Sequence, residues 1–184
     1  MKAIYDKNCK IAMAVLAVAI VVSIPLGFKR TMSGFYNDLQ KVYQNGEYND
    51  GLSIQNDLDY RVELAYNFAT VAKRYLDADD PAVTALLDAR QALDDADAPA
   101  EQYDANMKLT TASADLYEIL GKLELSEKDE NYRRSIYSDM TSRNDTIGND
   151  PYNQLAIEYN QKLERFPASL LAPLTGVEKA ELFR

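Results

Sequence analysis

Along most of this chain, apolar residues recur at alternating steps of three and four, the spacing that gathers side chains on one helix face. No strand-like alternation is sustained. Leu58, Val62, Ala65, Ala69, Ala72 and Leu76 form one such stripe, widened by Leu64, Phe68, Val71 and Tyr75. So broad a face predicts a helix with several neighbours. Asp80-Pro81 reads as an N-cap followed by proline at the first helical position, and Ala82, Leu86, Ala89, Leu93 and Ala96 carry the next stripe towards Pro99. Pro99 opens a further helix, with Leu109, Ala112, Leu116, Ile119 and Leu123 inward. Ser126 and Asp129 resemble a capping box with Asp in place of Glu, and Glu127 and Glu130 add negative charge where the helix dipole favours it. Tyr132, Ile136, Met140 and Ile147 follow as inward positions, and after GNDP at 148–151 the last stripe is Tyr152, Leu155, Tyr159, Leu163 and Phe166. The whole predicts an all-α protein, an antiparallel four-helix bundle of long helices. Two points stay open. Residues 34–43, with Phe35, Leu39 and Val42 inward, can extend the preceding helix up to the loop NGEYNDG, and Pro151 either separates two helices or kinks one.

The amino-terminal stretch differs in kind. Residues 11–28, IAMAVLAVAIVVSIPLGF, carry no charge, and as a helix they would span about 27 Å. A signal peptide is the rival reading, with Lys2, Lys7 and Lys10 as its basic region. The sequence SIPLGFKR, however, offers no A-x-A-like cleavage site and places bulky Leu26 and Phe28 beside any cut, so an uncleaved transmembrane helix is expected. The chain then divides into a basic tail (1–10), a transmembrane helix (11–28) and a helical body (34–184). Cys9 precedes the apolar run, the wrong side for a lipoprotein acylation site, which leaves juxtamembrane palmitoylation as its lipid chemistry.

Charge follows the same division. Residues 1–30 hold five bases against one acid, and the remaining 154 hold 15 bases against 28 acids. Such an acidic body lacks the clustered cations that phosphate neutralisation needs, so no nucleic-acid partner is expected. The lipid bilayer is the expected partner of the amino-terminal helix alone. The bases before the span predict a tail on the inner side and a body outside.

Composition limits the chemistry. With no His there is no imidazole base, no Ser-His-Asp triad and no His-containing metal site, and a single Cys allows neither an internal disulfide nor a thiolate cluster. Phosphate-cradling glycine loops are missing as well. No cofactor, metal or catalytic residue is assigned.

The carboxyl-terminal stretch 152–183, YNQLAIEYNQKLERFPASLLAPLTGVEKAELF, contains two Tyr-Asn pairs seven residues apart, then Phe-Pro and a short apolar tail. In this it resembles the bacterial LemA family. Arg61, Leu64 and Asn67 in RVELAYN resemble that family's R-x-x-L-x-x-N helix, Ala89-Arg90 resembles its Ala-Arg pair, and Tyr36-Asn37 follows the apolar span as in the family. Tyr60 and Tyr66 depart from it, standing where the family has a second Arg and a Pro. The resemblance implies a single-pass bacterial membrane protein with a four-helix-bundle body, and it implies no reaction.

Six polar residues are the candidates for a partner site or a structural role: Arg61, Asn67, Arg90, Arg143, Asn153 and Asn160. Asn153 and Asn160 share a helix face, as do Tyr152 and Tyr159, so each set either lines a groove or fixes packing through a satisfied hydrogen bond. Arg61, Arg90 and Arg143 sit beside apolar stripes, where Asp57, Asp94 or Asp139 would make them buried bridges. Nine acids and one base between Asp77 and Asp104 read as a solvated end, without EF-hand spacing. The expected function is a non-enzymatic interaction or scaffold module with a protein partner in the membrane or envelope. The alternative is a small-ligand or lipid sensor with a cavity between helices.

Overall fold

The computed structural model describes the backbone of residues 2–184 and the side chains of Cys9 and residues 11–184. The side chains of Lys2, Lys7 and Lys10, the bases of the expected tail, lie outside the described residues. Among the described residues seven helices follow in order: α1 (Lys2–Asn45), α2 (Ile54–Ala72), α3 (Pro81–Asp94), α4 (Pro99–Leu120), α5 (Glu127–Gly148), α6 (Tyr152–Glu164) and α7 (Ala168–Thr175). No strand occurs among the described residues. The all-helical class therefore holds.

Local chemistry sets the boundaries. Helix α1 ends at Gly46, whose φ of +86° suits glycine, and a Cβ there would lie 2.4 Å from the Leu52 carbonyl oxygen. Ser53 caps α2 by accepting from the Asn56 amide at 3.2 Å, and Asp80 caps α3 by accepting from the Ala82 amide at 2.8 Å, with Pro81 at its first position. Residues 34–43 continue α1 without a break. Pro151 separates α5 from α6, and Asp150 accepts from the Tyr152 amide at 2.8 Å.

The chain divides into two compact units, one holding residues up to Leu39 with Ile157–Ala180, the other Gln40–Ala156 with Glu181–Arg184. In the larger unit α2 packs on α3, α4 and α5, α3 on α4, and α4 on α5. Helix directions follow from the pairs. Asp57–Arg143 and Arg61–Met140 advance along α2 while retreating along α5, and just past α2 Arg74 reaches Asp129 near the start of α5, so these two are antiparallel. Gln55–Gln102 and Arg61–Thr110 advance together, so α2 and α4 are parallel. Asn106–Asn144 and Tyr117–Arg133 make α4 and α5 antiparallel. Leu58, Phe68, Leu86, Leu109, Leu116, Leu120 and Met140 are fully buried between them.

Four expected core positions are exposed instead: Phe35, Leu123, Tyr132 and Phe166. Leu123 lies past the end of α4, and Phe166 past the end of α6. The buried face of α4 runs through Gln102, Ala105, Asn106, Leu109, Ser113, Leu116 and Leu120, three of them polar, which a purely apolar stripe overlooks. On α5, Arg133 takes the inward position beside Tyr132. Its guanidinium lies 4.0 Å from the centre of the Tyr117 ring and donates to the Tyr117 carbonyl at 3.0 Å. Close approach at Gly121 makes room for it, since a Cβ there would stand 3.1 Å from the Arg133 guanidinium.

One helix among the described residues, within Ile11–Asn45, is long and apolar enough to cross a membrane, and none of its most apolar stretch is buried.

Candidate functional site

The Tyr-Asn repeat acts on the chain's own end. Residues 177–184 form no regular secondary structure, so their backbone groups need partners from elsewhere. In the larger unit, Asn153 donates from Nδ2 to the Phe183 carbonyl at 2.8 Å and accepts from the Phe183 amide at 2.8 Å. Beside it the Tyr152 hydroxyl donates to the Glu181 carbonyl at 2.8 Å. In the smaller unit the arrangement repeats. Asn160 donates to the Ala180 carbonyl at 2.9 Å and accepts from the Ala180 amide at 2.8 Å, and the Tyr159 hydroxyl donates to the Glu178 carbonyl at 3.2 Å.

An asparagine carboxamide carries one donor pair and one acceptor in the geometry of a peptide group, so each Asn satisfies both backbone groups of one tail residue. Seven helical residues advance about 10.5 Å, and three residues of extended chain advance about 10 Å. The heptad from one Tyr-Asn pair to the next therefore matches the three-residue step from Ala180 to Phe183. Both of these tail residues are buried while Glu178 and Glu181 are exposed. Phe183 meets Tyr103 edge-on at 5.4 Å and Tyr43 at 6.4 Å. Tyr43 donates its hydroxyl to Gln102, and burial, aided by Tyr152, Asp150 and Asp59, raises the pKa of that hydroxyl well above the ordinary tyrosine value. Burial also raises that of Tyr159, with Tyr36 adding to it.

The three candidate arginines find different partners. Arg61 is fully buried, donates to the Met140 carbonyl and to Thr110 Oγ1 (the latter at 2.8 Å), and leaves Nε without a hydrogen bond. Burial lowers its pKa to about 10, partly countered by Asp57. Asp57 instead pairs with Arg143 at 2.6 Å, where the Arg143 guanidinium also lies over the Tyr60 ring at 4.4 Å. Arg90 donates to the Val62 carbonyl at 3.2 Å and stands 3.9 Å from Asp94. Asn67 is exposed, on the rim of a groove of about 310 Å³ with Thr70, Arg74, Lys128 and Tyr132. The structure thus brings Asn153 and Asn160 to the tail, draws Arg61 and Arg143 to the α2–α5 seam and leaves Arg90 and Asn67 apart.

Several features escaped sequence reasoning. Asp129 accepts from Arg74, from the Tyr75 hydroxyl at 2.6 Å and from the Ser126 hydroxyl at 3.0 Å, while the Ser126 amide donates to Tyr75. Only half of the expected capping box forms, since Tyr75 takes the amide that Asp129 would have accepted. Hydrogen bonds from Arg133 and Arg134 hold the Glu130 carboxyl down at about 2. Between α3 and α4 lies an open groove of about 670 Å³, lined by Ala85, Ala89, Ala92, Met107 and Ala112 with Asp88, Lys108 and Asp115 on it. A smaller cavity of about 240 Å³ in the other unit is lined by Tyr36, Asn37 and Tyr159. Alanine at helical spacing was the available signal for the larger groove, and it reads equally as core.

Compared with known proteins, residues 52–184 match the sequence model of the LemA family. No curated protein matches the chain.

Proposed function

We propose, from the premise that this chain belongs to the LemA family, that it is a non-enzymatic, membrane-anchored interaction module of the bacterial envelope. Residues 11–28 are its membrane span and the body begins near residue 34. In this reading α2 to α5 are an antiparallel four-helix bundle that presents the groove between α3 and α4 to a protein partner. The carrying observation is that groove: open, floored by alanines and Met107, and rimmed by charges of both signs. Small floor residues let a helix approach closely, and mixed charges at the edge favour a polar-rimmed protein contact.

A photoactivatable residue at Met107 of the full chain, in native membranes, tests this. It should yield a discrete protein adduct that disappears when Ala92→Arg, at an exposed position of the groove lining, fills the groove. Adducts indifferent to Ala92→Arg would sink the reading. The body is placed on the outer side with the amino terminus inside. An impermeant thiol reagent should accordingly leave exposed Cys9 unlabelled in intact cells.

The cavity lined by Tyr36, Asn37 and Tyr159 favours a second reading, a small-ligand sensor. Its volume of about 240 Å³ falls below the roughly 300–1,000 Å³ of ordinary ligand pockets, which puts this reading second. A ligand-dependent rise in the chain's melting temperature that Tyr36→Leu abolishes would reverse the order.

A further inference from the structure

Helix α7 is short, and two of its three leucines, Leu170 and Leu174, face outward while Leu171 is half-buried. Phe166, Leu170 and Leu174, four residues apart, are 81%, 60% and 77% exposed. That spacing puts the last two on one face of α7, with Phe166 leading into it. A soluble surface rarely leaves three such residues side by side, so something covers them, and the smaller unit indicates what. Tyr159 meets Tyr36 at 5.9 Å and, one turn further along α6, Lys162 reaches the Phe35 ring at 4.9 Å. Helix α6 thus runs antiparallel to α1, toward its apolar end. From Tyr159 to Phe166 is seven residues, about 10.5 Å, the same step that leads from Tyr36 back to Lys29. The chain returns with Gly176, Val177 and Glu178 beside Ser33, Tyr36 and Asn37. The segment between these two anchor points, α7 included, therefore lies towards the end of α1 where its uncharged run stops, at Phe28, Lys29 and Arg30.

We propose that α7 is an interfacial membrane helix, with Phe166, Leu170 and Leu174 dipped into the headgroup–acyl boundary at the foot of α1. This rests on the reading of residues 11–28 as a membrane span. The chemistry at that level suits it. Lys29, Arg30 and Arg165 are exposed there, able to hold anionic headgroups while the apolar face of α7 enters the lipid. Gly176, with φ of +65°, closes α7 in a left-handed cap and turns the chain back to the clamp at Asn160. The acidic body is repelled by anionic lipid, so the basic foot and the apolar face of α7 set how closely it approaches the surface.

The test uses the full chain with Cys9→Ser, reconstituted in vesicles of phosphatidylcholine and phosphatidylglycerol. An environment-sensitive fluorophore is placed through Leu170→Cys or, separately, Val21→Cys. Doxyl lipids labelled near the headgroup should quench the Leu170→Cys probe, and those labelled near the chain end should quench the Val21→Cys probe. Adding Leu174→Asp should abolish quenching at position 170 and leave both helicity and quenching at position 21 intact. Three outcomes overturn the proposal. A probe at 170 quenched by aqueous iodide while 21 stays deep means α7 is in water and the span stands. A probe at 170 shielded from both iodide and doxyl lipid means protein covers α7. A probe at 21 untouched by doxyl lipid removes the span and this inference with it.

Discussion

Replacing Asn153 by Ala tests the tail clamp most directly, because the end of the chain is held with little to spare. Asn153 makes two hydrogen bonds to Phe183 and Tyr152 makes one to Glu181, together worth about 3 kcal/mol at about 1 kcal/mol net apiece. Burying the Phe183 ring adds about 2 kcal/mol, and its edge-on contact with Tyr103 adds about 1 kcal/mol. Against this, ordering residues 181–184 costs roughly 4 kcal/mol at about 1 kcal/mol each, which leaves about 2 kcal/mol to hold the tail and a detached population of about 3%. Losing the Asn153 pair removes about 2 kcal/mol, which brings the attached and detached forms to parity and raises the detached population about 15-fold. The helix itself is unharmed, since Ala is the better helix former. Carboxypeptidase reports the population directly when the tail recloses faster than it is cut: release of Phe183 should quicken by about 15-fold while the far-ultraviolet spectrum and the global melting temperature hardly move. Acceleration of less than about threefold would refute the view that this carboxamide latches the tail.

Further outcomes are expected. Leu116→Asp should abolish cooperative folding, because an unpaired buried charge costs several kcal/mol against a total stability of about 5–15 kcal/mol, whereas Leu123→Asp should stay within about 0.5 kcal/mol of the parent. Equal melting temperatures for the two would show that the face of α4 is misplaced. At Arg61, where burial disfavours the charge, Arg61→Met should be more stable than Arg61→Lys by about 1–3 kcal/mol in chemical denaturation. The reverse order would mean that the charge itself holds the seam together. The Glu130 carboxyl titrates at about 2 instead of its ordinary 4.5, so the folded state prefers the ionised form. Its contribution is complete above pH 4.5 and is lost as the pH falls towards 2. An acid titration by circular dichroism should show Glu130→Gln flattening that loss, and an unchanged profile would separate Glu130 from acid stability.

What could be read in advance was local. Asp80-Pro81, Pro99 and the Ser126 cap mark helix starts in four-residue windows, because caps act on amides within their own first turn. The uncharged run at 11–28 needs only composition to declare itself. The buried face of α4 was harder, since Gln102, Asn106 and Ser113 occupy core positions that hydropathy assigns to solvent. Distant partners take up only part of their polarity: Gln102 bonds Tyr43 and Gln55, and Asn106 donates to Asn144 while its Oδ1 stays without a hydrogen bond, whereas Ser113 turns to the Thr110 carbonyl of its own helix.

By itself, then, the order of residues determined the helical class, most helix boundaries, the amino-terminal apolar rod and the seven-residue recurrence of Tyr-Asn. Only the tertiary structure decided what that recurrence holds. Asn153 and Asn160 recognise backbone groups 30 and 20 residues away, and backbone is the same whatever side chains it carries, so no pattern in residues 177–184 announces the contact. The same is true of Asp57, which pairs with Arg143 across 86 residues while Arg61, four positions away, turns to a carbonyl and a hydroxyl. Periodicity specifies which way a helix faces, but the partner it meets depends on how the loops close.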